Sequence, residues 1–233
     1  KRDNQRSQRR AGQPLDGRDR MKTERRYQPA GDELEIRQDQ NGNISGYAAV
    51  FYNSEDRGSA FGLWDGAEER IMPGAFSRAI SEKDDARALF NHEADKLLGR
   101  VSAGTLQLSE DARGLHYSIS LGNTTAAKDV REMINRGDLT GSSFSFKVTD
   151  EDWTDEDGTQ VRNIKGVELF DVGPVTFPAY EASTANSRDI EGAKESLEES
   201  EREKVKERVN ERFEALALKI DPELADSKPT EDS

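Results

Sequence analysis

From about Tyr27 to Ala185, apolar residues come in short alternating runs separated by Gly, Asn and Asp, the pattern of β-strands joined by tight turns. ELEIRQDQNGNISGYAAVFY reads as a hairpin whose Asn41-Gly42 supplies the positive dihedrals of a type I′ turn. The next stretch, SEDRGSAFGLWDGAEER, breaks the period with glycines and charges and reads as a surface loop or an insertion. In MPGAFSRAISEKDD the period changes: Pro73 suits a first helical turn and Phe76, Ala79 and Ile80 fall on one side, which predicts a short helix. ARALFNH predicts a strand running toward His92, and the segment from Leu98 through TLQLSEDARGLHYSISL predicts two more strands joined at a Gly-containing turn.

TTAAKDVREMINRG is the second predicted helix, capped by Thr124 or Thr125, striped by Val130, Met133 and Ile134, and ended by Gly137. It leads into LTGSSFSFKV, where Phe144, Phe146 and Val148 alternate with Ser143 and Ser145, so that one strand face is buried and the serines lie on the other. DEDWTDEDGTQVRNI reads as an acidic hairpin loop, and GVELFDVGPVTFPAY as a strand broken at Gly173-Pro174 and ended by Pro178. The stretch EGAKESLEESEREKVKERVNERFEALALKI is helical by propensity, with a thin apolar stripe until Phe213. It is either a solvated single helix or one that docks on a partner or pairs with itself. No repeat at a fixed period is evident.

Composition divides the 233 residues into a core and two tails. Only 33% are hydrophobic and 35% are charged, too little apolar surface for the whole chain to fold as one globule. Residues 1–26 are rich in Arg, while 189–233 are dominated by Glu within a net charge of -13. The expected organisation is a basic, disordered arm at 1–26, a folded domain at 27–188 and an acidic helical or disordered tail at 189–233. Met21 opens MKTERRYQPA as a natural chain start would, making residues 1–20 an expected upstream extension or fusion remnant. The sequence has no apolar run long enough for a membrane span, and its basic, polar start lacks the apolar segment of a secretory signal, so a cytosolic protein is expected.

With no cysteine and two histidines, disulfides, thiolate nucleophiles and thiolate zinc sites are excluded. Any catalysis falls to hydroxyls, carboxylates and imidazoles. GSSFSF sets Ser142, Ser143 and Ser145 close together, and a serine becomes a useful nucleophile only when a base takes its proton and a third group orients that base. His92, where an apolar strand end meets a polar turn, is one candidate base; His116, mid-strand in GLHYSIS, is the other. Asp171 interrupts the apolar ELFDVGPV, where an unpaired charge is costly unless it is compensated or turned to solvent. Residue pattern alone leaves these alternatives open.

The ordered set GYAAVFY, IMPGAF, ALFNHEADKLLGR, GLHYSISL, RGDLTGSSFSF and ELFDVGPVTFPAY resembles the prohead (capsid maturation) proteases of tailed bacteriophages over roughly residues 23–185. That family is similar in fold to the herpesvirus assemblins, which implies a β-rich α+β architecture: a closed β-barrel flanked by a few helices, carrying a serine nucleophile and a histidine base. The resemblance aligns Ser143 as nucleophile, with Ser145 where Gly is common and Ser142 at a variable place. It aligns His92 as general base and Asp171 as third member, with Gly173 in place of the usual Ser. Assemblins use a second histidine in the third role, which keeps His116 as a competitor.

The implied chemistry is acyl transfer. His92 takes the Ser143 proton as the oxygen attacks a peptide carbonyl, Asp171 or His116 steadies the imidazolium, and backbone amides near the nucleophile hold the oxyanion. Arg100, in LLGR, is a candidate for binding that oxyanion or a substrate acid, and a plain surface arginine otherwise. No cofactor or metal is expected.

The implied partners are the phage major capsid protein and its scaffolding segment, together with self-association and self-cleavage, inside an immature prohead in the host cytoplasm. The competing reading is a non-catalytic assembly protein that keeps the protease fold. Nucleic-acid binding through the basic arm would need a basic folded face, which the acidic core argues against; a membrane partner is not expected.

Overall fold

The computed structural model describes residues 23–28, 36–176 and 187–220. The chain divides into two compact units, Lys1–Asp189 and Ile190–Ser233. In chain order the first contains β1 (Glu24–Gln28), β2 (Arg37–Gln38), β3 (Ile44–Val50), a 3-10 turn (Arg57–Ser59), β4 (Ala60–Trp64), β5 (Ala67–Ile71) and α1 (Ser77–Ser81). It continues with β6 (Arg87–Leu89), β7 (Leu97–Arg100), β8 (Leu106–Glu110), β9 (Gly114–Ile119), α2 (Thr125–Asn135), β10 (Gly141–Glu156) and β11 (Thr159–Val175).

Two sheets result. The larger runs β1-β10-β11-β5-β4, with β6 paired to β11 and β7 paired to β6. The smaller runs β2-β3-β9-β8. Alternation gives the small sheet an apolar inward face of Ile44, Ala48, Leu115, Tyr117 and Ile119. These share one core with Phe144, Phe146, Val167 and Leu169 of the large sheet.

The closed barrel implied by the resemblance is not formed. Closure needs backbone pairing all the way round, and among the described residues no ladder joins the two sheets. They meet instead through side chains: the hydroxyls of Tyr117 on β9 and Ser142 on β10 hydrogen bond at 2.9 Å, and Phe76, just before α1, packs edge-on against Phe144 of the large sheet at 5.5 Å.

The two core helices fall where the sequence put them. Thr124 caps α2 by accepting from the Ala127 amide, and Gly137 leaves it at φ +77°. Helix α1 buries Ala79 and is capped by the buried Phe76, but it begins at Ser77, after the turn that contains Pro73.

The β2–β3 hairpin is present with a different turn. Only Gly42 has positive φ there, and the Asp39 carboxylate closes the loop by accepting from the Asn41 and Asn43 amides at 2.8 and 2.9 Å.

Other expectations change more. The polar excursion holds β4 and β5, and the acidic loop is the paired continuation of β10 and β11, turning only at Asp157-Gly158. β11 continues unbroken through Gly173-Pro174, opposite Ser143 and Ser142; Pro174 falls beyond the last β6 pair, Val172↔Ala88, where a missing N–H interrupts no ladder on that side. Pro178 lies outside the described residues. Glu24–Arg26, assigned above to the basic arm, open β1.

Three of the misread segments of the large sheet, β1, β5 and the outer arm of β10–β11, share one cause. Glu24 and Arg26 of β1, Glu69 of β5, and Arg162 and Glu151 of the β11–β10 arm form one interior charge network. Arg26 Nε reaches Glu69 at 2.5 Å, Arg162 Nη1 reaches Glu69 and Glu24 at 2.9 Å, and Arg162 Nε reaches Glu151 at 2.6 Å. Glu69 is fully buried; burial pushes its carboxyl up, but Arg26 and then Arg162 outweigh that and hold it below the usual carboxylate range. A strand whose inward positions are Ala67, Glu69 and Ile71 does not read as apolar alternation, yet each side chain is buried.

The second unit is described by residues 190–220 of α3 (Ser187–Ile220), whose Val205, Val209 and Phe213, spaced four apart, are exposed. No described helix is long and apolar enough to cross a membrane.

Candidate active site

The β10 strand sorts the three hydroxyls of GSSFSF by alternation. Ser142, Phe144 and Phe146 face the core, where the two rings stack at 4.8 Å and Ser142 is tied to Tyr117. Ser143 and Ser145 face the other way, and they too are buried, so the strand has no solvent face here. Ser145 stands opposite Asp171 and Ser143 opposite Gly173. Burial pushes the Tyr117 phenol up, with its bond to Ser142 acting in the opposite direction, so Ser142 is paired with a neutral phenol rather than a base.

His92 reaches this face from the turn after β6. Asn91 and His92 both adopt left-handed backbone, φ +55° and +58°, a conformation that costs about 1–3 kcal/mol per non-glycine residue and persists only where its surroundings enforce it. The enforcement comes from the end of β11 and the residue that follows it. The Asn91 amide donates to the Pro174 carbonyl at 3.1 Å; its side-chain oxygen accepts from the Thr176 amide at 2.8 Å, and its Nδ2 donates to the Thr176 hydroxyl at 3.0 Å.

Gly173 makes the approach possible. A Cβ on it would sit 2.2 Å from the Leu89 carbonyl oxygen, so only glycine lets the end of β6 close onto β11.

The imidazole then spans a diagonal of the β10–β11 pair. His92 Nε2 is 2.6 Å from Ser143 Oγ, and His92 Nδ1 hydrogen bonds the Asp171 carboxylate. Cross-strand diagonals of about 7–8 Å are bridged by one ring of this size. Asp171, acceptor-only when ionised, favours the tautomer with the proton on Nδ1, which leaves Nε2 to accept from the Ser143 hydroxyl. Both partners are shielded, with the His92 side chain 5% and that of Asp171 11% exposed.

The remaining candidates lie elsewhere. His116 is on β9 of the small sheet, opposite Tyr47, whose ring it meets edge-on at 5.2 Å. Arg100, on β7, is engaged by Asp85 through Nε at 2.9 Å and through Nη2; β6 stands between it and Asp171 in the sheet. The Arg100 hydrogen bonds hold the Asp85 carboxyl well below its usual range. Among the described residues no group of three or more His, Asp or Glu is disposed to hold a metal ion.

Sequence reasoning passed over the roles of Asn91 and of Gly173, the latter read only as a strand break and in place of the usual Ser, and it passed over Arg26. The first two carried a signal, an Asn at a strand end and a Gly inside a strand, each marking unusual backbone. Arg26 is in the site through its backbone: Ser143 Oγ donates to its carbonyl oxygen at 2.8 Å. No pattern in the chain announces that contact.

The family described as caudovirus prohead serine protease matches residues 32–199. The chain is 31% identical over 170 residues to the prohead protease of Enterobacteria phage HK97, covering 69% of this chain and 68% of that protein. Among solved structures, the bacteriophage T4 capsid assembly protease aligns with a TM-score of 0.39 at 12% identity, over 66% of this chain and 95% of that one.

Proposed function

Because the chain belongs to the caudovirus prohead serine protease family, we propose that it is a capsid-maturation endopeptidase with Ser143 as nucleophile, His92 as general base and Asp171 as the group that orients and steadies His92. The continuous contact from Asp171 through His92 to Ser143 carries this reading.

As Ser143 Oγ attacks the substrate carbonyl, its proton passes to His92 Nε2, and the imidazolium that forms is stabilised by Asp171. The negative oxygen of the tetrahedral intermediate is held by backbone amides near Ser143. His92 then gives its proton to the leaving amine, and water, activated by the same imidazole, releases the acyl group and restores the Ser143 hydroxyl.

The substrates are the phage coat protein, with its scaffolding segment, and the chain itself, processed inside the immature prohead. Residues 27–188 are the catalytic part in this proposal, with β1 added. The tail at 189–233 is a disposable targeting piece, consistent with the exposed Val205, Val209 and Phe213 on α3. Removing residues 190–233 leaves peptidase activity and abolishes packaging; truncated protein still found in purified proheads contradicts that role.

Co-expression with the coat protein, read by intact-mass spectrometry, tests the enzyme. Wild type yields shortened coat protein and Ser143→Ala does not. Equal processing by Ser143→Ala makes the chain an assembly protein without chemistry.

A further inference from the structure

Ser143 is fully buried, and the backbone of β1 lies at its hydroxyl. β1 runs antiparallel to β10 with Tyr27 opposite Ser143. The Ser143 hydroxyl has one proton and two acceptors within reach, His92 Nε2 at 2.6 Å and the Arg26 carbonyl at 2.8 Å. With a neutral imidazole bonded to Asp171 through Nδ1–H, that proton satisfies one acceptor at a time, so the Arg26 carbonyl competes with the base. A peptide about to be attacked must bring its carbonyl to the same hydroxyl.

The side chains of β1 are held just as specifically. The Arg26 guanidinium donates to both Glu69 oxygens, at 2.5 and 2.7 Å, and to Glu24 at 2.7 Å, and it lies over the Phe146 ring at 5.5 Å. Glu24 in turn accepts from Arg162 at 2.9 and 3.1 Å. Glu69 and Arg162 belong to β5 and β11, so they stay when β1 leaves. The vacated groove then offers a buried carboxylate where an arginine sat and a buried arginine where a carboxylate sat. Glu69 and Arg162 still hold each other at 2.9 Å and Arg162 holds Glu151 at 2.6 Å, but Glu69 loses its two bonds from Arg26 and Arg162 its two to Glu24. Buried charged groups with unmet hydrogen bonds are costly, so a replacement strand that brings both partners is favoured.

We propose that β1 occupies the substrate groove, and that the groove takes an extended peptide, paired antiparallel to β10, with a carboxylate side chain and, two residues further on, an arginine whose carbonyl is presented to Ser143. The pairing and charge pattern stand on the geometry; only the fate of that carbonyl rests on the peptidase reading above. In the form described, the enzyme is latent, and substrate enters by strand exchange with β1.

The test uses the full chain carrying Ser143→Ala and fluorescein-labelled TERRYQ, the sequence of residues 23–28, read by fluorescence anisotropy. Three further peptides carry Gln in place of the residue matching Glu24, Arg25 or Arg26. The tethered β1 competes at an effective concentration on the order of millimolar, but it weakens every peptide by the same factor, so the ratios survive. The Arg26-equivalent Gln peptide is expected to bind about ten- to a hundredfold more weakly than TERRYQ, as loss of charge-assisted hydrogen bonds requires, the Glu24 equivalent less so, and the Arg25 equivalent unchanged. A second chain, with Arg26→Gln added, loosens the internal strand and is expected to bind TERRYQ more tightly.

Equal binding of TERRYQ and the Arg26-equivalent peptide, or no saturable binding to either chain, overturns the groove assignment. Wild-type chain incubated with TERRYQ is expected to cut between the second Arg and Tyr. The expected binding ratios without any cleavage, and with coat protein left unprocessed, overturn the peptidase reading alone. Processed coat protein without the binding ratios overturns the groove alone.

Discussion

Each sheet carries one of the two histidines, and the two behave differently. In the small sheet His116 sits mid-strand, where the ladder to Tyr47 and Ser109 fixes its direction and alternation turns it away from Leu115 and Tyr117. In the large sheet His92 lies past the end of β6 on a left-handed turn, freed from alternation, and its ring crosses to two other strands. The interiors differ as well: the small sheet turns aliphatic and aromatic side chains inward, whereas the large sheet buries hydroxyls and five charged side chains. A regular strand holds a side chain where packing wants it, and a strained turn on a rigid sheet carries it across to a hydroxyl and a carboxylate on two other strands.

The contrast breaks most directly at the histidines. His92→Ala is expected to lower coat-protein cleavage by about 10³-fold or more, and Asp171→Asn by about 10³–10⁴-fold, as loss of a base or its orienting carboxylate does in serine peptidases. His116→Ala should stay within about twofold in the same coat-protein cleavage assay. A large loss at His116 with none at Asp171 would return the third role to the imidazole.

The interiors are separated by their response to acid. Glu69→Gln breaks a buried ion-pair network and is expected to cost about 3–5 kcal/mol in denaturant unfolding at neutral pH, against about 0.5–1.5 kcal/mol for Ile119→Val in the small sheet's apolar face. The folded Glu69 carboxyl lies below its ordinary value of 4.5, so its contribution is present above that value and is lost as pH falls through the lower, folded one. Glu69→Gln should therefore flatten the acid limb of the stability curve, while Ile119→Val shifts the curve without changing its shape.

A smaller effect sharpens the point about the turn. Gly173→Ala forces a Cβ toward the Leu89 carbonyl at φ +155° and is expected to cost about 1–3 kcal/mol together with activity. Gly122→Ala, with open space around the added carbon, should change stability by less than about 0.5 kcal/mol.

The same contrast explains what the sequence disclosed. Elements whose inward face is apolar were legible from period and caps: β3, β8, β9, α2 and the Phe144–Phe146 end of β10. The serine, histidine and aspartate of the proposed site were legible as residue types, and the family resemblance ordered them. β1, β5 and the outer arm of β10–β11 were not, because Glu24, Arg26, Glu69 and Arg162 occupy inward positions and make a buried face look like a solvated one. Barrel closure was out of reach for another reason. Alternation reports which face of a strand is buried and is silent about which edge it pairs with.

The central claim is that His92 activates one hydroxyl among three neighbours. Residue-level mass spectrometry after treatment with a fluorophosphonate tests it most directly. The account predicts an adduct on Ser143 in the wild-type chain that accumulates as β1 leaves the groove and that His92→Ala abolishes; an adduct on Ser142 or Ser145, or labelling of Ser143 that is indifferent to His92, would contradict it.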